Sequence, residues 1–241
     1  MKTTIPCGLA ILILNNMKKP ILAASLICCD PLNIEKDVHE LIKGDIDWIH
    51  FDVMDGQFVP RYGLYAEILT ALRKLTNKTV DVHMMVDNPE DYIEVFAAAK
   101  ADYYCFHIEA TQHAHRVVKK IISAGMKAGV ALSPATPVSS LEWVINDIEM
   151  VCLMAINPGI VGHKLIPSMQ QKIKQLRAYA IEHGNADLVI EIDGGVTFDT
   201  GKEMILNGAD ALVCGTGSIF RPHEDTISNK IKYFRSLLMQ D

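Results

Sequence analysis

The chain of 241 residues lacks several signatures that would place it in a class at once. It has no Cys-x-x-Cys pair: six cysteines stand at positions 7, 28, 29, 105, 152 and 214, mostly in apolar, strand-like surroundings. That spacing excludes a cysteine-clamped zinc or redox motif and reads as reduced core residues of a cytoplasmic protein. No run of Lys and Arg is present and the formal net charge is −6, so nothing points to nucleic acid. The apolar run in MKTTIPCGLAILILNN is too short to span a bilayer, and no small-x-small cleavage site follows it. No membrane segment is expected. Residues 1–16 read as an extension ahead of a second start-like stretch, MKKPILAASL at Met17, with 17–241 as one folded domain.

What is present is a rhythm. Hydrophobic residues make up 49% of the chain and charged ones 22%, enough for a large core. Short apolar strands are expected at 21–26, 47–53, 79–85 and 102–108, then at 127–132, 150–156, 187–193 and 211–215. Amphipathic helical patterns lie between them, for example at 33–43, 89–100 and 168–183. Eight strands alternating with helices, without a linker or low-complexity stretch, predict a single α/β domain: a (β/α)₈ TIM barrel. A doubly wound sheet is the competing architecture, but the first strand–helix turn carries no Gly-x-Gly-x-x-Gly.

In such a barrel the chemistry sits at the C-terminal ends of the strands. The stretch IHFDVMDG (49–56) alternates apolar Ile49, Phe51 and Val53 with His50, Asp52 and Met54, so a His-x-Asp pair faces the barrel axis. Other polar residues at strand ends are Ser25, His83, His107, Glu109, Ser133, Asn157 and Asp193. Among these, His50, Asp52, His83 and Asp193 form a mixed nitrogen and oxygen set able to hold one divalent cation: zinc, iron, manganese or cobalt. Asp81 and Glu191 lie two residues earlier on the same faces, one layer deeper. His107, Glu109 and His113 are rim candidates, whereas His39 and His183 fall in helical patterns at the surface. Glycine clusters follow three consecutive strands: NPGIVG (157–162), DGG (193–195) and GTGS (215–218). Backbone N–H groups in such loops can cradle a phosphate, and a short helix after GTGS would add its N-terminal dipole.

The motifs HFDVMDGQFVP, VHMMV, HIEAT, ALSPATP, INPG and EIDGGV, in this order between about Ile21 and Phe220, strongly resemble the ribulose-phosphate 3-epimerase family. The resemblance implies a barrel that inverts C3 of a ketose phosphate with a divalent metal. It implies His50, Asp52, His83 and Asp193 as metal ligands, Asp52 and Asp193 as the acid/base pair, and Ser25 and His83 as substrate contacts. Met54, Met84 and Met154 resemble methionines near the reacting carbons. Gly159, Ile160, Val161, Gly162, Gly194, Gly195, Gly215 and Thr216 match phosphate-binding loops, with Gly217 and Ser218 completing the last one. The expected partner is a phosphorylated ketose, and the expected assembly a homo-oligomer.

The chain also departs from the family pattern. RYGLYAE follows Pro60 where an Asn-x-Thr/Ser-x-Gly-Pro run is usual. Ser133 stands in place of an asparagine, His163 in place of a glutamine, and Ile160-Val161 in place of Phe-Gly or a similar pair. SLICCD and GTGSIF look closer to the allulose-6-phosphate 3-epimerase branch. These changes leave the four metal positions untouched and put the sugar length in question: ribulose 5-phosphate, or a ketohexose 6-phosphate such as allulose 6-phosphate. Related phosphate-binding barrels perform aldol cleavage or decarboxylation, and a sugar-phosphate-binding protein without catalysis is the non-enzyme reading. Carboxylates retained at both 52 and 193 favour epimerisation.

Overall fold

Eight parallel strands close on one another in chain order, β1 pairing with both β2 and β8. They are β1 (Ile21–Ser25), β2 (Trp48–Met54), β3 (Thr79–Met85), β4 (Tyr103–His107), β5 (Lys127–Leu132), β6 (Met150–Met154), β7 (Val189–Asp193) and β8 (Ala211–Cys214). The computed structural model describes residues 19–160, 162–222 and 225–240; the expected extension 1–16, and Val161, expected as a phosphate contact, lie outside the described residues.

Seven α-helices occur among the described residues: α1 (Ile34–Lys43), α2 (Ala66–Leu72), α3 (Ile93–Ala98), α4 (Ala114–Ser123), α5 (Met169–Glu182), α6 (Gly201–Leu206) and α7 (Ile227–Leu238). The β5–β6 connection departs from strict alternation, with only the 3₁₀ turns Val138–Leu141 and Ile145–Asp147. Pro134 and Pro137 keep Ser133 and Thr136 out of the helical conformation, so the helical turns begin only at Val138. None of the helices is long and apolar enough to cross a membrane.

Each strand splits its residues between two environments because successive side chains point to opposite faces. The outward set, such as Phe51, Val82, Met84 and Phe106, is fully buried between barrel and helices. The inward set fills the barrel: Tyr103, Cys105, Met150 and Cys152 pack on one side of it. Ser25, His50, Asp52, Asp81, His83, His107 and Glu191 are the polar exceptions, all 5% exposed or less. Register fixes their depth, with His50 opposite Asp81 and Asp52 opposite His83.

Candidate active site

At the top of the barrel the inward positions of β2, β3 and β7 converge. His50 Nε2 lies 3.2 Å from Asp52 Oδ1 and 3.8 Å from Asp193 Oδ2, while His83 Nδ1 lies 3.5 and 3.6 Å from the same two oxygens. The four ligand atoms fall within 4.8 Å of one another. A cation held at about 2.1 Å by four ligands needs them roughly 3.4 Å apart, so the spacing fits a metal. The hydrogen bonding fits as well: His50 Nε2 and His83 Nδ1 are buried and make no hydrogen bond. Two orphaned imidazole nitrogens facing two carboxylates are what a metal would satisfy.

The supporting contacts orient this set. Ser25 Oγ donates to Asp52 Oδ2 at 2.8 Å, leaving Oδ1 for the cluster. Ser25 thus holds a carboxylate while also lining the cavity above. Beneath, His50 Nδ1 meets Asp81 Oδ2 at 2.5 Å, with Glu191 Oε2 3.5 Å from the same nitrogen. Burial and the neighbouring Glu191 push the Asp81 carboxyl well above its usual range, against the pull of His50. Burial disfavours charge on His50, but Asp81, Asp52 and Glu191 outweigh it and raise the imidazole. The two upper carboxyls diverge. Burial opposes charge on both, yet His50 and His83 hold Asp52 well below the ordinary range. Asp193 is raised to about 6, by burial and by the nearby Asp52 and Glu191.

The cluster opens into a cavity of about 590 Å³. Ser25, Met54, Met154, Gly159, Ile160, Gly162, Gly194, Gly195, Gly215, Thr216 and Gly217 line it, as expected from the sequence. Gly194 shows why glycine is needed there: its φ is +95°, and a Cβ would sit 2.3 Å from Ile156 Cγ1. Gly63 allows a second close approach. A Cβ there would fall 2.5 Å from Met54 N, so the RYGLY segment folds back onto the end of β2 and hydrogen-bonds to Met54 and Asp52 carbonyls.

Three expectations need correction. Met84 does not face the cavity: it points outward into the layer between barrel and helices, and Met85 lines the cavity instead. His83 points inward, so by alternation residue 84 cannot. Ser218 does not line the cavity; its N–H donates to Gly215 O at 3.1 Å and its side chain is buried. Residues 216–220 form turns rather than a helix, and the next helix is α7, so no helix N-terminus follows GTGS directly. Among the rim candidates, His107 is buried in the barrel wall, Glu109 lies in the turn after β4 and bonds to His107, and His113 is exposed at the start of α4. His39 is exposed, and His183 stacks on Tyr179.

Among the cavity residues that sequence reasoning missed are Cys28, Met85 and the cations Arg61 and Lys164. Arg61 and Lys164 sit in loops, where no periodicity marks which way a side chain points. It also missed Lys172, whose Nζ donates to the carbonyls of Ser133, Pro134 and Thr136 at 2.9, 3.0 and 2.6 Å.

In sequence and in fold the chain is similar to known proteins. The profile of the ribulose-phosphate 3 epimerase family matches residues 21–220. The ribulose-phosphate 3-epimerase of Bacillus subtilis is 43% identical over 194 residues, covering 80% of this chain and 89% of that protein. The chloroplastic ribulose-5-phosphate-3-epimerase of Arabidopsis thaliana is 39% identical over 198 residues, covering 81% and 70%. Among solved structures, KGPDC from Streptococcus mutans superposes with a TM-score of 0.67 at 16% identity, covering 92% of this chain and 98% of that one. That likeness speaks for the barrel alone.

Proposed function

The chain belongs to the ribulose-phosphate 3-epimerase family, and we propose that it interconverts D-ribulose 5-phosphate and D-xylulose 5-phosphate by two-base proton transfer at C3. The observation that carries this reading is the pair of carboxylates, Asp52 on β2 and Asp193 on β7, facing one another across the cluster with His50 Nε2 between them.

His50, Asp52, His83 and Asp193 would hold a divalent cation. When bound, it supplies Lewis-acid stabilisation of the negative charge that develops on the ketose oxygens. The chain's own groups move the proton. One carboxylate takes the C3 proton, and the C–H electron pair enters the enediolate. The other carboxyl returns a proton to the opposite face of C3, so the centre inverts and the two acids exchange protonation states. The divergent tendencies of Asp52 and Asp193 make Asp193 the easier of the two to protonate.

Met54, Met85 and Met154 supply a wall without strong hydrogen-bond donors, leaving the planar intermediate to the two carboxyls. The loops at Gly159–Gly162, Gly194–Gly195 and Gly215–Gly217 are the proposed phosphate cradle, with Arg61 and Lys164 contributing positive charge to the same lining. The metal-loaded protein assayed side by side on ribulose 5-phosphate and allulose 6-phosphate tests the reading. A kcat/KM at least roughly tenfold higher on the pentose supports it, and the reverse preference moves the chain to the hexose reading.

A further inference from the structure

Behind His83 runs a chain of contacts that the proposed reaction does not use. His83 Nε2 meets His107 Nε2 at 2.9 Å, and His107 Nδ1 meets Glu109 Oε2 at 3.1 Å. Both rings are fully buried. The other oxygen of Glu109 accepts the backbone N–H of Ser133 at 2.9 Å and the hydroxyl of Thr136. Lys172 clamps that same loop through its three carbonyls. Glu109 is therefore fixed at one end and presents a single oxygen to His107.

The proton positions follow in sequence. A carboxylate only accepts, so His107 Nδ1 carries the hydrogen. A neutral imidazole has one N–H, so His107 Nε2 is an acceptor. His83 Nε2 must then donate to it, which strips the hydrogen from His83 Nδ1, the nitrogen that lies 3.5 Å from Asp52 and 3.6 Å from Asp193. The neutral form of His107 is the one its contacts describe: the ring is fully buried and Glu109 takes its single N–H.

We propose that Glu109 and His107 are positioning residues which, through a two-imidazole relay, fix the tautomer of His83 and keep its Nδ1 bare toward His50, Asp52 and Asp193. The inference rests on the reading of those four residues as a metal centre. Metal-bound histidines commonly donate their other N–H to a carboxylate or carbonyl. Here the carboxylate stands one imidazole further away, so its influence arrives through a second ring.

The discriminating variant is Glu109→Gln. The Ser133 N–H still requires an acceptor, so the amide oxygen takes that side and the NH₂ faces His107 Nδ1. Each ring then inverts: His107 becomes Nε2–H, His83 becomes Nε2-acceptor, and an N–H is driven into the metal site. Nitrogen-15 spectra of the histidine side chains in the metal-free protein read the tautomers directly, with His83→Gln and His107→Gln used for assignment. Wild-type protein is expected to show His83 as Nε2–H and His107 as Nδ1–H, and Glu109→Gln to show both reversed.

Competition for Co²⁺ against a chelator is expected to show Glu109→Gln binding roughly 10–100-fold more weakly. Thr136→Val, which keeps the carboxylate, should stay within a few-fold of wild type. A wild-type His83 protonated at Nδ1 overturns the proposal, and so does unchanged Co²⁺ affinity in Glu109→Gln. Should that variant fail to fold, the wild-type spectrum still decides. Wild-type protein that takes up no cation overturns the metal reading itself, an outcome separable from the tautomer result.

Discussion

Met84 and Met85 are adjacent, both essentially unexposed at 0% and 1%, and face opposite sides of β3. Replacing each by alanine should give opposite phenotypes. Met84 packs in the closed layer with Val82 and Phe106, so Met84→Ala leaves a sealed void and costs about 3 kcal/mol, within the usual range of roughly 2–5 for such truncations. At roughly 2–4 °C per kcal/mol for a chain of this size, Tm should fall by about 6–12 °C. Activity at 25 °C should hold, because no cavity-lining atom is removed. Met85 touches the layer of Met54 and Val59 and opens on the 590 Å³ cavity, so its void joins solvent. Only the transfer term is lost, about 2 kcal/mol, while kcat/KM should drop roughly tenfold or more as the substrate loses an apolar wall. Thermal melts and steady-state kinetics on the two variants, with Met84→Leu as a volume-conserving control, decide the matter. If Met84→Ala lost activity without losing stability while Met85→Ala stayed fully active, the face assignment and the wall argument would both be wrong.

Asp52→Asn and Asp193→Asn should each lower kcat by about 10²–10⁴-fold. Metal content is measured in both, since each residue also belongs to the cluster. Solvent hydrogen exchange at C3 of one epimer without inversion is the expected signature, and near wild-type interconversion by both metal-loaded variants would refute two-base transfer. Gly194→Ala puts a side chain at φ +95° and 2.3 Å from Ile156 Cγ1; a loss of at least about 2 kcal/mol in urea unfolding and a raised KM for the phosphorylated ketose are expected. Lys172→Met strands the carbonyls of Pro134 and Thr136, while Ser133 O keeps the Thr136 N–H, which should cost roughly 2–4 kcal/mol. Unchanged stability there would show that water replaces the clamp.

Depth in a closed parallel barrel is a function of position along each strand, and this is why so much of the site is legible in the sequence. HFD on β2, DVH on β3 and EID on β7 each place a polar pair at the same spacing, and the register sets His50 beside Asp81 and Asp52 beside His83. Period two then predicts that Asp81 and Glu191 lie below the upper residues, where the structure has them contacting His50. The same rule, applied strictly, excludes Met84, because His83 and Met84 cannot share a face. A motif match that ignores this parity picks the wrong methionine of the pair.

Other features had no local signal. Lys172 lies in QQKIKQL, a pattern that reads as an exposed helical lysine; only the neighbouring 133–136 loop turns it into a buried clamp. GTGS looks the same whether its N–H groups face a ligand or close a turn on Gly215, as that of Ser218 does. Arg61 reaches the lining because the β2–α2 loop, which carries Gly63, crosses toward the β6 loop; a Cβ on Gly159 would fall 2.5 Å from Val59. Strand tops therefore carry the clustered polar groups in a form that sequence periodicity exposes, while the loops that cover them are specified by contacts between distant segments. The departures of this chain from its family, at 61, 133, 160 and 163, all fall in that second class. Substrate length should therefore be decided by those loops, and grafting residues 61–67 together with 160–164 from a pentose-specific relative should change the preference between sugars without disturbing the cluster beneath.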